Sequence, residues 1–225
     1  MMGQREAIEW QAGDVPVSTR FDDPYFSLDD GLAETAHVFL TGNGLPNRFR
    51  DGFHIAELGF GTGLNLLATL DLWRQSNQRG VLRFTSFEAY PMQPDEMIRA
   101  QSAFASLAGI AAELAPFWAS GAPQIDLPDL HFTLIKGDAR ETLPQWPGLA
   151  DAWFLDGFSP AKNPELWQPD LMQQVGAHTS DQGTAATYTA AGFVRRGLES
   201  AGFSVTRTPG YGRKRHMTQA AKATA

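Results

Sequence analysis

The chain has no cysteine, which excludes disulfides and a thiolate metal site and fits a reducing compartment, so a cytoplasmic location is expected. No apolar run approaches the length needed to span a bilayer, so no membrane partner is expected. The first ten residues carry charges and lack the apolar core of a signal peptide. There is no internal repeat and no low-complexity linker. Basic charge is also scarce: 25 acids face 18 lysines and arginines, a formal net charge of −7. That balance excludes a protein that coats nucleic acid non-specifically. The basic residues are unevenly placed, however. Between Arg195 and His216 stand Arg195, Arg196, Arg207, Arg213, Lys214 and Arg215 against Glu199 alone, a local charge of +5 within a chain that is otherwise −12. Such asymmetry suits a localised anionic partner, although a solvated helix face and strand edge would produce the same count.

What is present is enough for a large core: 225 residues, 43% hydrophobic and 11% aromatic,. Residues 1–50 are rich in turns (D-D-P at 22–24, D-D-G at 29–31, G-N-G at 42–44), with one short helix expected at 32–40. They read as an N-terminal extension packed on a core domain spanning 51–219, followed by a tail at 220–225. In the core, apolar segments at 53–58, 82–87, 131–135, 152–155, 184–189, 204–208 and 214–218 read as strands. They alternate with helical patterns at 64–75, 94–104, 108–119, 163–175 and 193–201, the fourth capped by Asn163 ahead of Pro164. This alternation predicts an α/β domain with a mostly parallel seven-stranded sheet and helices on both faces. A P-G-Y-G turn at 209–212 joins the last two strands as a hairpin, which would put an antiparallel strand at the sheet edge. A nucleotide-dependent oxidoreductase would more often close with another parallel strand.

The run E-L-G-F-G-T-G at 57–63 falls between the first strand and first helix of that core. A dinucleotide fingerprint is G-x-G-x-x-G; here the third glycine comes one residue early. Glu57 would repel a pyrophosphate at the helix N-terminus. A carboxylate there suits a ligand with a cationic end, such as S-adenosylmethionine. Three further strands end in an acid. Glu88 comes 25 residues after Gly63, close to the ~20-residue offset of an acid that binds a ribose. Asp138 follows Gly137 and could accept from an adenine amino group. Asp156 opens D-G-F-S-P-A-K-N-P, a loop resembling those that hold a target nitrogen and stack an aromatic on its base in amino-group methyltransferases. Each acid alone could merely cap a helix. Four in succession read as an adenosyl-ligand site with a catalytic edge.

Taken together these motifs identify a resemblance. P-V-S-T-R-F-D-D-P-Y-F-S (16–27), G-L-A-E-T (31–35), V-F-L-T-G-N (38–43), E-L-G-F-G-T-G-L-N (57–65), F-L-D-G-F-S-P-A-K-N-P (154–164), A-G-F-V-R-R-G-L (191–198) and G-Y-G-R-K-R (210–215) resemble the methyltransferase half of the bifunctional MnmC family, over about residues 9–218. One departure is Ala190, where a T-S-A-G pattern has serine. The resemblance implies a Rossmann-like class I S-adenosylmethionine-dependent fold. It implies cofactor contacts from Glu57, Gly59, Phe60, Gly61, Thr62, Gly63, Glu88, Asp138, Ala139 and Asp156. It also implies a tRNA whose wobble position carries 5-aminomethyl-2-thiouridine, to be converted to 5-methylaminomethyl-2-thiouridine, and an FAD-dependent oxidase domain in a longer chain.

The expected reaction is an in-line displacement in which Asp156 orients the amine and accepts its proton. Phe158 or Tyr25 would stack on the base, while Lys162, Arg195, Arg196, Arg213, Lys214 and Arg215 would grip anticodon-loop phosphates. A monomer is expected. Competing readings are a small-molecule N- or O-methyltransferase with the same cofactor site, a nicotinamide or flavin oxidoreductase, and a catalytically inert tRNA-binding module.

Overall fold

The structure is a computed structural model that describes residues 7–12, 14–27 and 30–222. At its centre lies β4 (His54–Leu58), every residue of which is buried. It pairs in parallel with β5 (Leu82–Glu88) on one side and β8 (Ala150–Leu155) on the other. A strand covered on both faces as well as both edges needs a continuous apolar run rather than alternation; A-W-F-L supplies one in β8, and I-A-E-L does so in β4 except at Glu57,. Outward from β5 run β7 (Leu130–Lys136), parallel, and then β6 (Gln124–Leu127), antiparallel. Outward from β8 come β9 (Thr179–Thr187), β11 (His216–Lys222) and β10 (Phe203–Pro209).

The chain leaves β4 in one direction and returns for β8 in the other, so the switch point, where such sheets bind ligands, falls between β4 and β8. Two apolar layers flank the sheet. One gathers Val38, Phe39, Leu66, Leu67, Trp73 and Phe132, with α2 (Leu64–Gln75), α3 (Pro94–Gln101) and α4 (Ala108–Ser120) above it. The other gathers Trp153, Trp167, Leu171, Met172, Val194 and Leu198 beneath α6 (Pro169–Ala177) and α7 (Gly192–Ser200).

The fold class is as the sequence predicts, with three differences in the sheet. The main sheet has eight strands instead of seven, because β6 turns back on β7 through the two residues Pro128 and Asp129 and buries Ile125. The final hairpin does not leave its antiparallel strand at the edge. β11 inserts between β9 and β10, and the antiparallel edge strand is β6 on the opposite side. β11 also begins later than expected and continues to Lys222, into the stretch read as a tail; residues 223–225 lie outside those described.

The helix expected at 163–175 is broken. A single 3-10 stretch, Pro164–Trp167, ends at Gln168, and α6 starts at Pro169. A proline forces its predecessor out of the helical region, and Gln168 is accordingly extended at φ −66° and ψ 149°,. Asn163 makes no side-chain cap.

The N-terminal region forms its own three-stranded sheet, β1 (Ile8–Gln11), β2 (Val15–Ser18) and β3 (Asp23–Pro24). It continues into α1 (Gly31–Thr35), capped by Asp30, and a wider π-type turn over Ala36–Leu40. This segment delivers Glu34 and Thr35 to the switch point. No single helix among the described residues is long and apolar enough to cross a membrane.

Candidate active site

A cavity of about 660 Å³ opens at the carboxyl ends of β4, β5, β7 and β8, a size typical of small-ligand and cofactor sites. Its floor is the first part of the glycine turn, Gly59 to Thr62; the predicted contact Gly63 does not line it, since its open side faces Phe60 and Gln101. Gly59, Gly61 and Gly63 have φ of 90°, 54° and 74°, the left-handed region where a side chain is strained. A Cβ on Gly59 would lie 2.5 Å from the Asp156 carbonyl oxygen, so only glycine lets the ends of β4 and β8 approach so closely. A Cβ on Gly61 would stand 3.1 Å from the ring of Tyr25, inside the cavity. Thr62 is anchored by its carbonyl, which accepts from Gln101 Nε2 at 2.8 Å. Phe60 offers only its backbone, since its ring is buried against Trp118 and Phe132.

The four acids differ in kind. Glu88 folds over the turn, accepting from the N–H groups of Phe60 (3.0 Å), Gly61 (3.2 Å) and Tyr90 (2.7 Å). The turn's anion-binding hydrogens are therefore already engaged by a carboxylate, which disfavours a pyrophosphate there. The exclusion expected of Glu57 thus belongs to Glu88, a correction with a simple cause. Glu57 is wholly buried and does not line the cavity. Burial pushes its carboxyl well above the ordinary range, against the opposing hydrogen bonds from Ser86 and Asn65. It lies beneath the site and supports it.

Asp138 lines the cavity beside Ala139. It caps α5 (Ala139–Thr142) and is gripped by Arg140, whose hydrogen bonds hold its carboxyl below the ordinary range despite partial burial. Asp156 faces the same cavity from the end of β8, and burial raises its pKa to about 7.

One residue missed in the sequence ties these acids together. Asn65 Nδ2 donates to Glu57 Oε1 at 2.8 Å and to Asp156 Oδ2 at 2.7 Å, while its Oδ1 accepts from Thr35 Oγ1 at 2.9 Å. On the far side Ser86 Oγ donates to Glu57 Oε2 at 2.6 Å. The available signal was an asparagine one residue into a helix whose neighbours Leu64, Leu66 and Leu67 are all buried. A polar side chain in that company must find partners.

The loop after Asp156 is pinned from several directions. Tyr188 Oη donates to the Gly157 carbonyl at 2.7 Å, Trp167 Nε1 to the Phe158 carbonyl at 2.9 Å, and the Ser159 N–H to Asp23 at 2.9 Å. Phe158 stacks on Phe21 with centroids 4.7 Å apart and meets the edge of Tyr25 at 5.0 Å. Phe21 and Tyr25 come from the N-terminal region, so the aromatic wall joins two distant parts of the chain.

Of the residues predicted to meet a nucleic acid, Tyr25, Phe158, Arg213 and Lys214 line the cavity. Lys162, Arg195, Arg196 and Arg215 do not. Lys162 is engaged by the Asp22 backbone carbonyl and by the Asp22 and Asp23 carboxylates, so it fastens its loop to β3 and does not present a free charge. Arg195 and Arg196 lie in the first turns of α7, and Arg213 and Arg215 in the β10–β11 turn. Parallel pairing of β8 with β9 puts both groups at the carboxyl end of the sheet, the end that carries the cavity.

Comparison with known proteins agrees with this geometry. A family model described as S-adenosyl-L-methionine-dependent methyltransferase matches residues 106–223. The tRNA 5-methylaminomethyl-2-thiouridine biosynthesis bifunctional protein MnmC of Caulobacter vibrioides is 47% identical, across 95% of this chain and 37% of its own length. Its counterpart from Ralstonia nicotianae is 46% identical across 92% of this chain and 33% of its own. The chain thus spans about a third of the length of these curated relatives. The crystal structure of MNMC2 from Aquifex aeolicus superposes with a TM-score of 0.76 at 26% identity, covering 97% of this chain and 71% of that one.

Proposed function

The chain belongs to the S-adenosyl-L-methionine-dependent methyltransferase family, and from that premise we propose that it methylates the amine of 5-aminomethyl-2-thiouridine at the tRNA wobble position, giving 5-methylaminomethyl-2-thiouridine. The observation that carries this reading is the placement of Asp156. A carboxyl with a pKa raised to about 7 stands at the end of β8, between the glycine turn and the aromatic wall of Phe158, Phe21 and Tyr25. The relatives named for this modification supply the identity of the nucleoside.

S-adenosylmethionine would be held by the backbone of the glycine turn, by Glu88, and by Asp138 with Ala139; when bound it supplies an activated methyl group. Glu57 acts from below by fixing Asn65. The acceptor amine is protonated near neutrality, with the lysine value of ~10 as a guide, and must lose a proton before its lone pair is available. Asp156 accepts an N–H hydrogen bond and takes up that proton. Phe158 and Tyr25 stack on the unpaired base. Arg195, Arg196, Arg213 and Arg215 pair with backbone phosphates, which position the loop and do not specify it. The relatives' extra length is consistent with a fused FAD-dependent oxidase domain that prepares the amine, and such chemistry belongs in the cytoplasm.

Incubation with labelled S-adenosylmethionine and tRNA carrying the aminomethyl wobble base, followed by nucleoside analysis, tests the reading. Label in 5-methylaminomethyl-2-thiouridine is the expected result. Label confined to free small amines, with none in tRNA, would replace it with the small-molecule alternative.

A further inference from the structure

Lys214 reaches back from the β10–β11 turn into the cavity. Its ammonium lies 2.7 Å from Glu34 Oε1 and 4.0 Å from the centroid of the Tyr188 ring. The Glu34 side chain is only 12% exposed. A desolvated carboxylate beside an aromatic face is a strong receptor for a primary ammonium. Both walls share the framework that holds Asp156. Tyr188 is fixed by its bond to Gly157, the next residue. Glu34 precedes Thr35, which binds Asn65 and through it Asp156.

We propose that Glu34 and Tyr188 form the receptor for the substrate's aminomethyl ammonium, and that Lys214 fills it until substrate enters. This rests on the reading above, that the acceptor is an aminomethyl group on tRNA. Entry then exchanges one ammonium for another, so Glu34 is never left buried and unpaired. A base without an amine has nothing to offer Glu34 and leaves Lys214 in place. The receptor is thus a specificity device, and Glu34 and Tyr188 are positioning residues for the reaction.

The test is a discrimination ratio: affinity for tRNA bearing 5-aminomethyl-2-thiouridine over affinity for the same tRNA with 2-thiouridine. Phosphate contacts cancel in this ratio. Glu34→Gln, which keeps shape and removes charge, is expected to lower it at least tenfold and to raise KM with little change in kcat. Tyr188→Leu lowers it and Tyr188→Phe preserves it. Lys214→Met raises it several-fold even if both affinities fall. Unchanged S-adenosylmethionine binding certifies each variant as folded, and Glu34→Gln alone decides if Tyr188→Leu is not. Methyl transfer by the wild type with a ratio unaltered in Glu34→Gln, or lowered in Lys214→Met, overturns the receptor alone. No transfer by the wild type to the amine-bearing tRNA overturns the substrate reading, and the receptor with it.

Discussion

At the scale of single residues, the site is a chain of acids kept compatible by one amide. Asn65 satisfies Glu57 and Asp156 together, so Asn65→Ala should leave two recessed carboxyls short of a donor. The expected cost is about 1–3 kcal/mol in urea unfolding. Asp156→Ala should lower turnover by about 10²–10⁴-fold, the usual contribution of a general base, with S-adenosylmethionine affinity retained. Turnover that stays at the wild-type level removes Asp156 from the chemistry. Because its pKa is raised to about 7, Asp156 accepts protons only as pH rises through that value, and Asp156→Asn should erase this limb of the rate profile. The linked effect on stability has the opposite sense. A carboxyl that binds its proton more tightly in the fold than in the unfolded chain makes the fold less stable as pH climbs from the ordinary carboxylate range to about 7. Unfolding measured across that window should show the decline in the wild type and a flatter curve in Asp156→Asn. The positions of Asp156, Glu88 and Asp138 were legible in the sequence because each ends an apolar run. That Glu57 is a buried support was not, since a motif records spacing and says nothing of which carboxylate the backbone N–H groups will face.

At the scale of elements, the strand ends and the glycine turn work as one unit. Gly59→Ala should press a methyl group against the Asp156 carbonyl, 2.5 Å away, in a left-handed conformation costing on the order of 1–3 kcal/mol. Equilibrium dialysis should show weaker S-adenosylmethionine binding. The strands around β4 were legible because strands buried on both faces need unbroken apolar runs. Short elements were not. β6 has four residues and one fully buried apolar side chain, Ile125, a pattern too brief to register. β1 offers only one short alternation, β2 and β3 each carry a proline, and all three gain their structure from pairing with one another and packing on the core. The broken helix ahead of α6 was in principle readable, because Pro169 forces Gln168 out of the helical region.

At the scale of the whole molecule, the excess of acid is offset by arginines at the cavity end of the sheet. Binding of tRNA should therefore weaken steeply with salt. Replacing Arg195 and Arg196 together with glutamine should lower the log–log slope by roughly 1–2, about 0.7–0.9 for each phosphate that is no longer neutralised; a slope unchanged by the double substitution removes α7 from the interface. The overall architecture was legible because alternating strands and helices admit few topologies, yet the final strand's place was not, since a hairpin fits equally well on either side of its partner. That place has a consequence for how the protein is made. Among the described residues β10 pairs only with β11, which is synthesised after it. An emerging chain can assemble β4 through β9, but β10 must wait, and Glu34 meets its partner 180 positions later only when the β10–β11 turn arrives. The cavity is closed by the last part of this sheet to leave the ribosome, so a chain still growing through β11 has no finished mouth through which to admit a substrate.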